Sequence, residues 1–138
     1  MFLIDTNIWL ERMLDQEKSD EVKTFLASVD SNELWISDFS LHSIGVILAR
    51  LKQHEKFSEF ITDLFEHGNI NLAILTPSEL ITVLSNAKKF DLDFDDAYQV
   101  TALQKNNLKL VTLDKDFRKS GIKSYTPLQA LRFRKANN

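Results

Sequence analysis

The chain has 138 residues, a length typical of one domain, and its 43% hydrophobic and 27% charged residues are globular values. The absence of cysteine excludes a disulfide framework, a thiolate metal site and a cysteine nucleophile. No apolar run approaches the roughly 20 residues of a membrane span. The start, MFLIDTNIWL, lacks the basic segment of a signal peptide, so we expect a cytoplasmic protein with no membrane partner.

Short apolar runs alternate with helical patterns along the chain. Buried strands are predicted at 2–4, 34–36, 71–75 and 109–112, with a weaker one at 123–126. Apolar spacing predicts helices over 20–29, 38–52, 56–67, 77–90 and 93–106, and the C-terminal LRFRKANN is interpreted as a helix end and basic tail. The alternation predicts one α/β domain over 1–138, with three layers: a central, mostly parallel sheet of about five short strands and helices on both faces.

Charge is distributed unevenly along the chain. Residues 1–100 contain 8 Lys and Arg against 18 Asp and Glu, whereas residues 101–138 contain 9 against 2. A basic C-terminal third beside an acidic body predicts a face that binds a polyanion. The alternative interpretation is that the acidic body and the basic third pair with each other.

Acidic or hydroxyl side chains follow the predicted strands. Asp5 follows the first strand, Asp38 the second, Thr76 the third and Asp114 the fourth. The carboxyl ends of parallel strands meet at one edge of a sheet, where ligands of open α/β folds bind. The sequence therefore predicts a polar site at this edge, although acids at strand ends also serve as helix caps.

A run of four acids, DLDFDD at residues 91–96, begins the predicted helix over 93–106. Asp93 can cap this helix, with Asp96 three positions later in a place typical of a capping box. Yet clustered carboxylates repel one another, and hard divalent cations such as Mg²⁺ bind carboxylate oxygens. We therefore expect Asp5, Asp96 and Asp114 to share one pocket and, without metal, the pKa of Asp5 or Asp96 to be raised.

Three motifs together resemble the PIN domain, and more specifically the short VapC-type toxins of toxin–antitoxin pairs. They are Asp5-Thr6-Asn7, Phe94-Asp95-Asp96-Ala97 and Thr112-Leu113-Asp114-Lys115-Asp116-Phe117. The resemblance covers nearly the whole chain, with the motifs in the family's order and spacing. It implies a PIN-like fold and an endoribonuclease that hydrolyses RNA phosphodiester bonds with a water activated by Mg²⁺ or Mn²⁺.

The resemblance also implies roles for individual residues and partners. Asp5, Asp96 and Asp114 match the family's catalytic, metal-binding acids, Asp116 matches a further metal-binding acid, and Asn7 and Thr112 match supporting positions. Family members are commonly dimers bound to an antitoxin protein. We therefore expect an antitoxin partner and a homodimer, with Trp9, Leu10 and Met13 of the first helix as candidates for the shared surface.

One position departs from the family's pattern. Family members usually carry a Glu in the helix after the second strand, and the matching position here is Ser43. A serine cannot supply negative charge, although it could still support the site. Asp38 lies five residues earlier, off the same part of the helix face, and we expect it to cap the helix over 38–52.

Three alternatives remain beside the nuclease. A phosphatase of the haloacid dehalogenase type needs a second Asp two residues after Asp5, where this chain has Asn7. A response-regulator receiver needs an acceptor Asp after its third strand, where this chain has Thr76-Pro77. The third alternative is a weak or inactive PIN domain that binds RNA or protein, and it is motivated by Ser43.

Overall fold

The computed structural model describes residues 1–137, which form five strands and eight helices. The strands are β1 (Phe2–Ile4), β2 (Leu34–Ser37), β3 (Asn71–Ala73), β4 (Lys109–Val111) and β5 (Ser124–Tyr125). The helices are α1 (Thr6–Met13), α2 (Ser19–Ser28), α3 (Asp38–Arg50), α4 (His54–Ile61), α5 (Glu79–Phe90), α6 (Phe94–Asn106), α7 (Asp116–Lys119) and α8 (Pro127–Ala136). A 3-10 turn at Ser31–Glu33 precedes β2, and a π-helical turn at Thr62–Glu66 extends α4. None of the helices within residues 1–137 has the length and apolar character needed to cross a bilayer.

The five strands form one all-parallel sheet in the order β3-β2-β1-β4-β5, which confirms the predicted α/β architecture. The chain builds outward from β1 through β2 to β3, then returns to the other side of β1 for β4 and β5. The strand order therefore reverses between β1 and β4, whose Phe2 and Lys109 are in register. Ligands of open α/β sheets bind at such a reversal.

Alternation along β1 divides the core into two halves. Phe2 and Ile4 pack on one face of the sheet with side chains from α1, α2, α3, α4 and α8. Leu3 points to the other face, where it packs with residues of α6 and α7 such as Val100 and Phe117. The fully buried side chains include Leu3, Ile4, Val100 and Phe117. Burying a side chain of this kind stabilises the fold by about 1.5–3 kcal/mol relative to leaving it exposed. The three layers follow from a strand that is apolar on both sides.

The C-terminal end is more helical than the sequence interpretation held. Helix α8 begins at Pro127, because Thr126 accepts a hydrogen bond from the Gln129 backbone N–H while the Gln129 side chain accepts one from the Thr126 backbone N–H. This reciprocal capping box, with proline at the first helical position, is written in the sequence as TPLQ. The predicted basic tail is therefore largely the last turns of α8.

Two further expectations are wrong. Ser37, not Asp38, caps α3, since the Ser37 hydroxyl accepts the Ser40 backbone N–H at 3.0 Å. The expectation for the α1 surface is wrong at Trp9, which is 4% exposed and packs in the core, whereas Leu10 and Met13 pack against the core and remain partly exposed. An amphipathic helix must bury its apolar stripe somewhere, and α1 buries it on the sheet.

Candidate functional site

Asp5, Asp96 and Asp114 line one cleft at the carboxyl edge of the sheet. Asp5 directly follows β1, Asp114 lies three residues beyond β4, and Asp96 stands in the first turn of α6. The Asp5 backbone N–H donates to the Val111 carbonyl at 3.0 Å, which joins the ends of the two central strands. The cleft has a volume of about 380 Å³. Its lining residues are Asp5, Thr6, Asn7, Leu10, Phe39, Ser43, Ile47, Asp95, Asp96, Gln99 and Asp114.

The Asp5 carboxylate is buried and accepts four hydrogen bonds. Its Oδ1 accepts from the Thr6 backbone N–H at 2.8 Å and from Gln99 Nε2 at 3.0 Å. Its Oδ2 accepts from the Thr112 hydroxyl at 2.8 Å and from Asn7 Nδ2 at 3.3 Å. Asp5 is thus both the cap of α1, through Thr6, and the hub of a polar network. Four donors fix the carboxylate in one orientation before any ligand binds.

A second set of bonds holds the loop that carries Asp114. Asn7 Nδ2 also donates to the Thr112 hydroxyl at 3.1 Å, and Asn7 Oδ1 accepts the Leu113 backbone N–H at 3.1 Å. The Asp114 backbone N–H donates to the Thr112 hydroxyl at 3.0 Å. Asp114 Oδ1 in turn accepts the Asp116 backbone N–H at 2.8 Å. Asn7 and Thr112 therefore connect the ends of β1 and β4, and they hold Asp5 and Asp114 in the same cleft.

Two of the acids have raised pKa values, as expected, although burial and not repulsion is the largest cause in both. Burial raises the pKa of Asp5, against the opposing effect of its hydrogen bonds from Gln99, Thr112 and Thr6. Burial also raises the pKa of Asp96 to about 7, helped by repulsion from Asp95, Asp5, Asp114 and Asp93, in that order. Repulsion between Asp96 and the other two acids shows that the three charges are electrostatically coupled.

The raised pKa of Asp96 predicts a pH-dependent stability in the absence of metal. Its folded-state pKa of about 7 exceeds the ordinary 3.8, so its contribution to stability is present below about 3.8 and is lost as pH rises through 7. We expect the thermal midpoint in EDTA to fall between about pH 4 and 7 more steeply in the parent than in Asp96→Asn. Asp91→Asn is the control, since Asp91 has a left-handed backbone that asparagine tolerates. Equal slopes in the parent and Asp96→Asn would contradict this assignment.

The cleft offers oxygen donors that fit a hard divalent cation. Among residues 1–137, no ion pair involves Asp5, Asp96 or Asp114, so protein cations do not neutralise this cluster directly. Gln99 Oε1, a carbonyl oxygen, is buried without a hydrogen-bond partner in the described chain. However, no three His, Cys, Asp or Glu side chains of residues 1–137 form a group that could hold a metal ion. The acids of the described chain therefore form no preassembled cage, and an ion bound here would need water or substrate oxygens as further ligands, as Mg²⁺ usually does.

The remaining predicted site residues divide between the cleft and its surroundings. Ser43 does line the cleft, on α3, where the missing Glu was expected. Asp38 instead lines a neighbouring apolar groove, and its Oδ1 accepts the Tyr98 hydroxyl at 2.6 Å. Asp116 does not line the acidic cleft. It borders an adjacent pocket with Asp96, and its carboxylate lies 3.7 Å from Lys119 Nζ. Asp93 stands at the cap position of α6 without a capping side-chain bond.

The sequence interpretation missed Gln99 and Ser40, which complete the network around Asp5. Gln99 Nε2 donates to the Ser40 hydroxyl at 2.8 Å as well as to Asp5, and the Thr6 hydroxyl donates to Ser40 at 2.8 Å. One sequence signal could have identified Gln99. It follows Asp96 by three positions, which places both on the same face of a helix. Ser40 carries no comparable signal.

Comparisons with known proteins agree with this architecture. A family model described as the PIN domain matches residues 2–123. The structure resembles VapC20 from Mycobacterium tuberculosis, a toxin that cleaves the sarcin-ricin loop, with a TM-score of 0.77 at 17% identity over 92% of this chain and 100% of that one. It also resembles FitAcB from Neisseria gonorrhoeae, with a TM-score of 0.68 at 20% identity over 93% of this chain and 99% of that one.

A toxin–antitoxin complex from Klebsiella pneumoniae is similar at the same level, with a TM-score of 0.68 at 19% identity over 85% of this chain and 90% of that one. No curated protein matches the sequence. The structural likenesses agree with the parallel sheet and its helical layers, and the family model spans most of the chain, including Asp5, Asp96 and Asp114. The chain belongs to the PIN domain family.

Proposed function

We propose that the protein is a divalent-metal-dependent endoribonuclease, the toxin of a VapBC-type toxin–antitoxin pair. One observation carries the proposal: Asp5, Asp96 and Asp114 line one cleft at the strand reversal, with no ion pair to neutralise them within residues 1–137. Membership of the PIN family and structural likeness to VapC20 support a nuclease over the phosphatase and receiver alternatives. RNA is the substrate that this likeness supports.

The residues of the cleft are proposed to have different roles. Asp5, Asp96 and Asp114 would hold Mg²⁺ or Mn²⁺ on oxygens, with Asn7 and Thr112 keeping Asp5 and Asp114 in place. A bound divalent cation supplies charge stabilisation on the phosphoryl oxygens and a lower pKa for the attacking water. The four donors to Asp5 keep its carboxylate oriented, so little reorganisation is needed when substrate arrives. Asp116, exposed and beside Lys119, is proposed to act only at the edge of this site.

A cleavage assay tests the proposal directly. The protein is incubated with mixed single-stranded and structured RNA in Mg²⁺, in Mn²⁺ and in EDTA. We expect fragments with either metal and intact RNA in EDTA. RNA that is retarded on a native gel yet intact under all three conditions would favour the alternative raised by Ser43, a PIN domain that binds without cutting.

A basic pocket beside Asp114 is the proposed path for the RNA backbone. Lys18, Lys115 and Arg118 line a small pocket of about 100 Å³ that also includes Asp114 and the hydroxyl residue Thr112. Two of the three cations come from the basic C-terminal third. Phosphate contacts of this kind position a nucleic acid and give most of its affinity. The pairing interpretation holds for other members of that third, such as Arg134, whose Nη2 lies 3.0 Å from Glu33.

Removing charge from this pocket should weaken RNA binding and its dependence on salt. We expect the double variant Lys18→Gln/Lys115→Gln to bind RNA several-fold more weakly, and to lower the slope of log affinity against log salt by about 0.7 for each phosphate that is no longer neutralised. Lys23→Gln/Lys88→Gln is the charge-matched control. Binding is measured by fluorescence anisotropy in EDTA, so that no cleavage occurs. An unchanged salt slope would show that the RNA does not cross this pocket.

An antitoxin is the proposed protein partner. We propose that it binds in the apolar groove beside the cleft. The groove measures about 450 Å³ and includes the half-exposed Val46. It shares Phe39, Ser43 and Ile47 with the acidic cleft, so a segment bound there would also cover the cleft. We further propose a homodimer, a single domain over residues 1–138, and action in the cytoplasm, where RNA is available.

A further inference from the structure

Gln99 is a buried polar side chain of α6 that contacts Asp5. It is 3% exposed and lies on α6, one helical turn after Asp96. Its Nε2 donates to Asp5 Oδ1 at 3.0 Å and to the Ser40 hydroxyl at 2.8 Å. Both amide protons are therefore used. An ionised carboxylate only accepts hydrogen bonds, so the nitrogen and not the carbonyl oxygen must face Asp5.

The other half of the same amide has no partner. Gln99 Oε1 is buried and receives no hydrogen bond within residues 1–137. Leaving a buried acceptor unsatisfied costs about 1–3 kcal/mol, and an apolar side chain of the same size avoids that cost. The orientation imposed by Asp5 and Ser40 prevents the amide from turning over to relieve it. No group within residues 1–137 donates to Oε1, so the partner of Oε1 is a water or an ion.

The charges around Gln99 indicate which class of ligand would contact its Oε1. Its neighbours along the cleft include Asp5, Asp95, Asp96 and Asp114. A cation drawn into the cleft by these acids is attracted to the same oxygen, and amide carbonyls are accepted ligands of hard divalent ions. Ser43, the lining residue where the family keeps an acid, brings no charge to compete for this role.

We propose that Gln99 belongs to the cation site of this cleft: its Nε2 fixes the Asp5 carboxylate, and its Oε1 is a neutral oxygen ligand that compensates for the serine at position 43. The assignment rests on the proposed metal-dependent function. It gives the site one oxygen donor beyond the three acids without adding negative charge. Gln99 thus links the orientation of Asp5 to the binding of the ion.

Metal binding by itself tests this assignment, without RNA and without turnover. Mn²⁺ is titrated into the full-length protein, and the free ion is followed by electron paramagnetic resonance. The variants are Gln99→Met, which removes both polar atoms, and Gln99→Glu, which keeps an oxygen in place of Oε1. The control is Gln53→Met. Gln53 Oε1 is also buried without a partner in the described chain, but Gln53 does not line the acidic cleft.

We expect Gln99→Met to weaken Mn²⁺ binding by about 10–100-fold, the range for residues that support a metal site. Gln99→Glu should lose less Mn²⁺ affinity than Gln99→Met, because it keeps an oxygen in place of Oε1 although it gives up the Nε2 donor to Asp5 and Ser40. Gln53→Met should stay within about twofold of the parent, well below the loss that marks a site residue. Circular dichroism checks that each variant is folded. If Gln99→Met does not fold, Gln99→Glu decides, and a loss of Mn²⁺ affinity beyond about tenfold, the lower bound for removing a supporting residue, overturns the assignment.

Other outcomes also overturn the inference and are distinguishable. Parent-like binding by folded Gln99→Met would remove Gln99 from the site while leaving the nuclease proposal intact. Equal weakening by Gln99→Met and Gln99→Glu would reject Oε1 as a ligand. Equal weakening by Gln53→Met would mark the effect as nonspecific. A parent protein that binds no Mn²⁺ would defeat this inference together with the metal-dependent function on which it rests.

Discussion

Asp5→Asn is expected to abolish RNA cleavage while leaving a folded protein. The asparagine keeps the shape of the side chain and remains a competent cap for α1. It removes the charge that the proposed cation requires. Loss of residues that merely support a metal site typically costs 10–100-fold in activity, and loss of a ligand should exceed that range. We therefore expect cleavage to fall by at least about a hundredfold, measured as the initial rate in Mn²⁺.

The stability of Asp5→Asn follows from two opposing effects. The side chain of Asp5 is 6% exposed and its pKa is raised by burial, so removing the charge relieves an electrostatic cost near neutral pH. Asparagine has one acceptor oxygen where aspartate has two, so the donors at one oxygen lose their acceptor. We expect the two effects to offset, with a thermal midpoint within several degrees of the parent.

Asp15→Asn is the matched control for Asp5→Asn. Asp15 is exposed and has a positive φ of 49°, a conformation that asparagine readily adopts. It lies at the end of α1, away from the cleft, so this variant should cleave at the parental rate. Parental activity in folded Asp5→Asn would be incompatible with metal-dependent PIN chemistry. Loss of activity in both variants would instead implicate the general negative charge of the protein.

The fold was predictable because its strands are apolar on both sides. The run at 2–4 has no polar position, so it matches neither a strand with one face in solvent nor an amphipathic helix. The pattern therefore predicts a sheet that is covered on both faces. Its end at Asp5 and the end of β4 near Asp114 then mark the site. The prediction of a basic tail underestimated α8, because the capping signal of this helix at Thr126 and Gln129 lies before the basic residues, which begin at Arg132.

The candidate site was predictable only in part, because sequence indicates which acids converge but not what holds them. Asp5, Asp96 and Asp114 follow from strand ends and family motifs. The bonds from Gln99 to Asp5 and Ser40 span 94 and 59 positions in the chain, so no local pattern encodes them. The exclusion of Asp116 from the cleft has a local origin instead. Its backbone N–H turns toward Asp114, while its carboxylate turns toward Lys119.

Ser43→Glu tests the departure from the family pattern. Ser43 lines the cleft together with Asp5 and Asp96, so a longer acidic side chain at this position would reach into the acidic cluster. Without metal it should lower stability, since it adds a negative charge to a site where burial and then repulsion from neighbouring acids already raise the pKa of Asp96. With metal it should raise Mn²⁺ affinity by about ten- to hundredfold, the equivalent of one charge-assisted contact of about 1.5–3 kcal/mol.

Two measurements separate these effects. The thermal midpoint of Ser43→Glu should lie below that of the parent in EDTA and should rise more than that of the parent when Mn²⁺ is added. His42→Glu is the control, because His42 is the preceding residue and borders the apolar groove instead of the acidic cleft. It should leave Mn²⁺ affinity near the parental value. If both variants shift the midpoint and the affinity alike, the added charge acts at long range, and position 43 has no special relation to the cation.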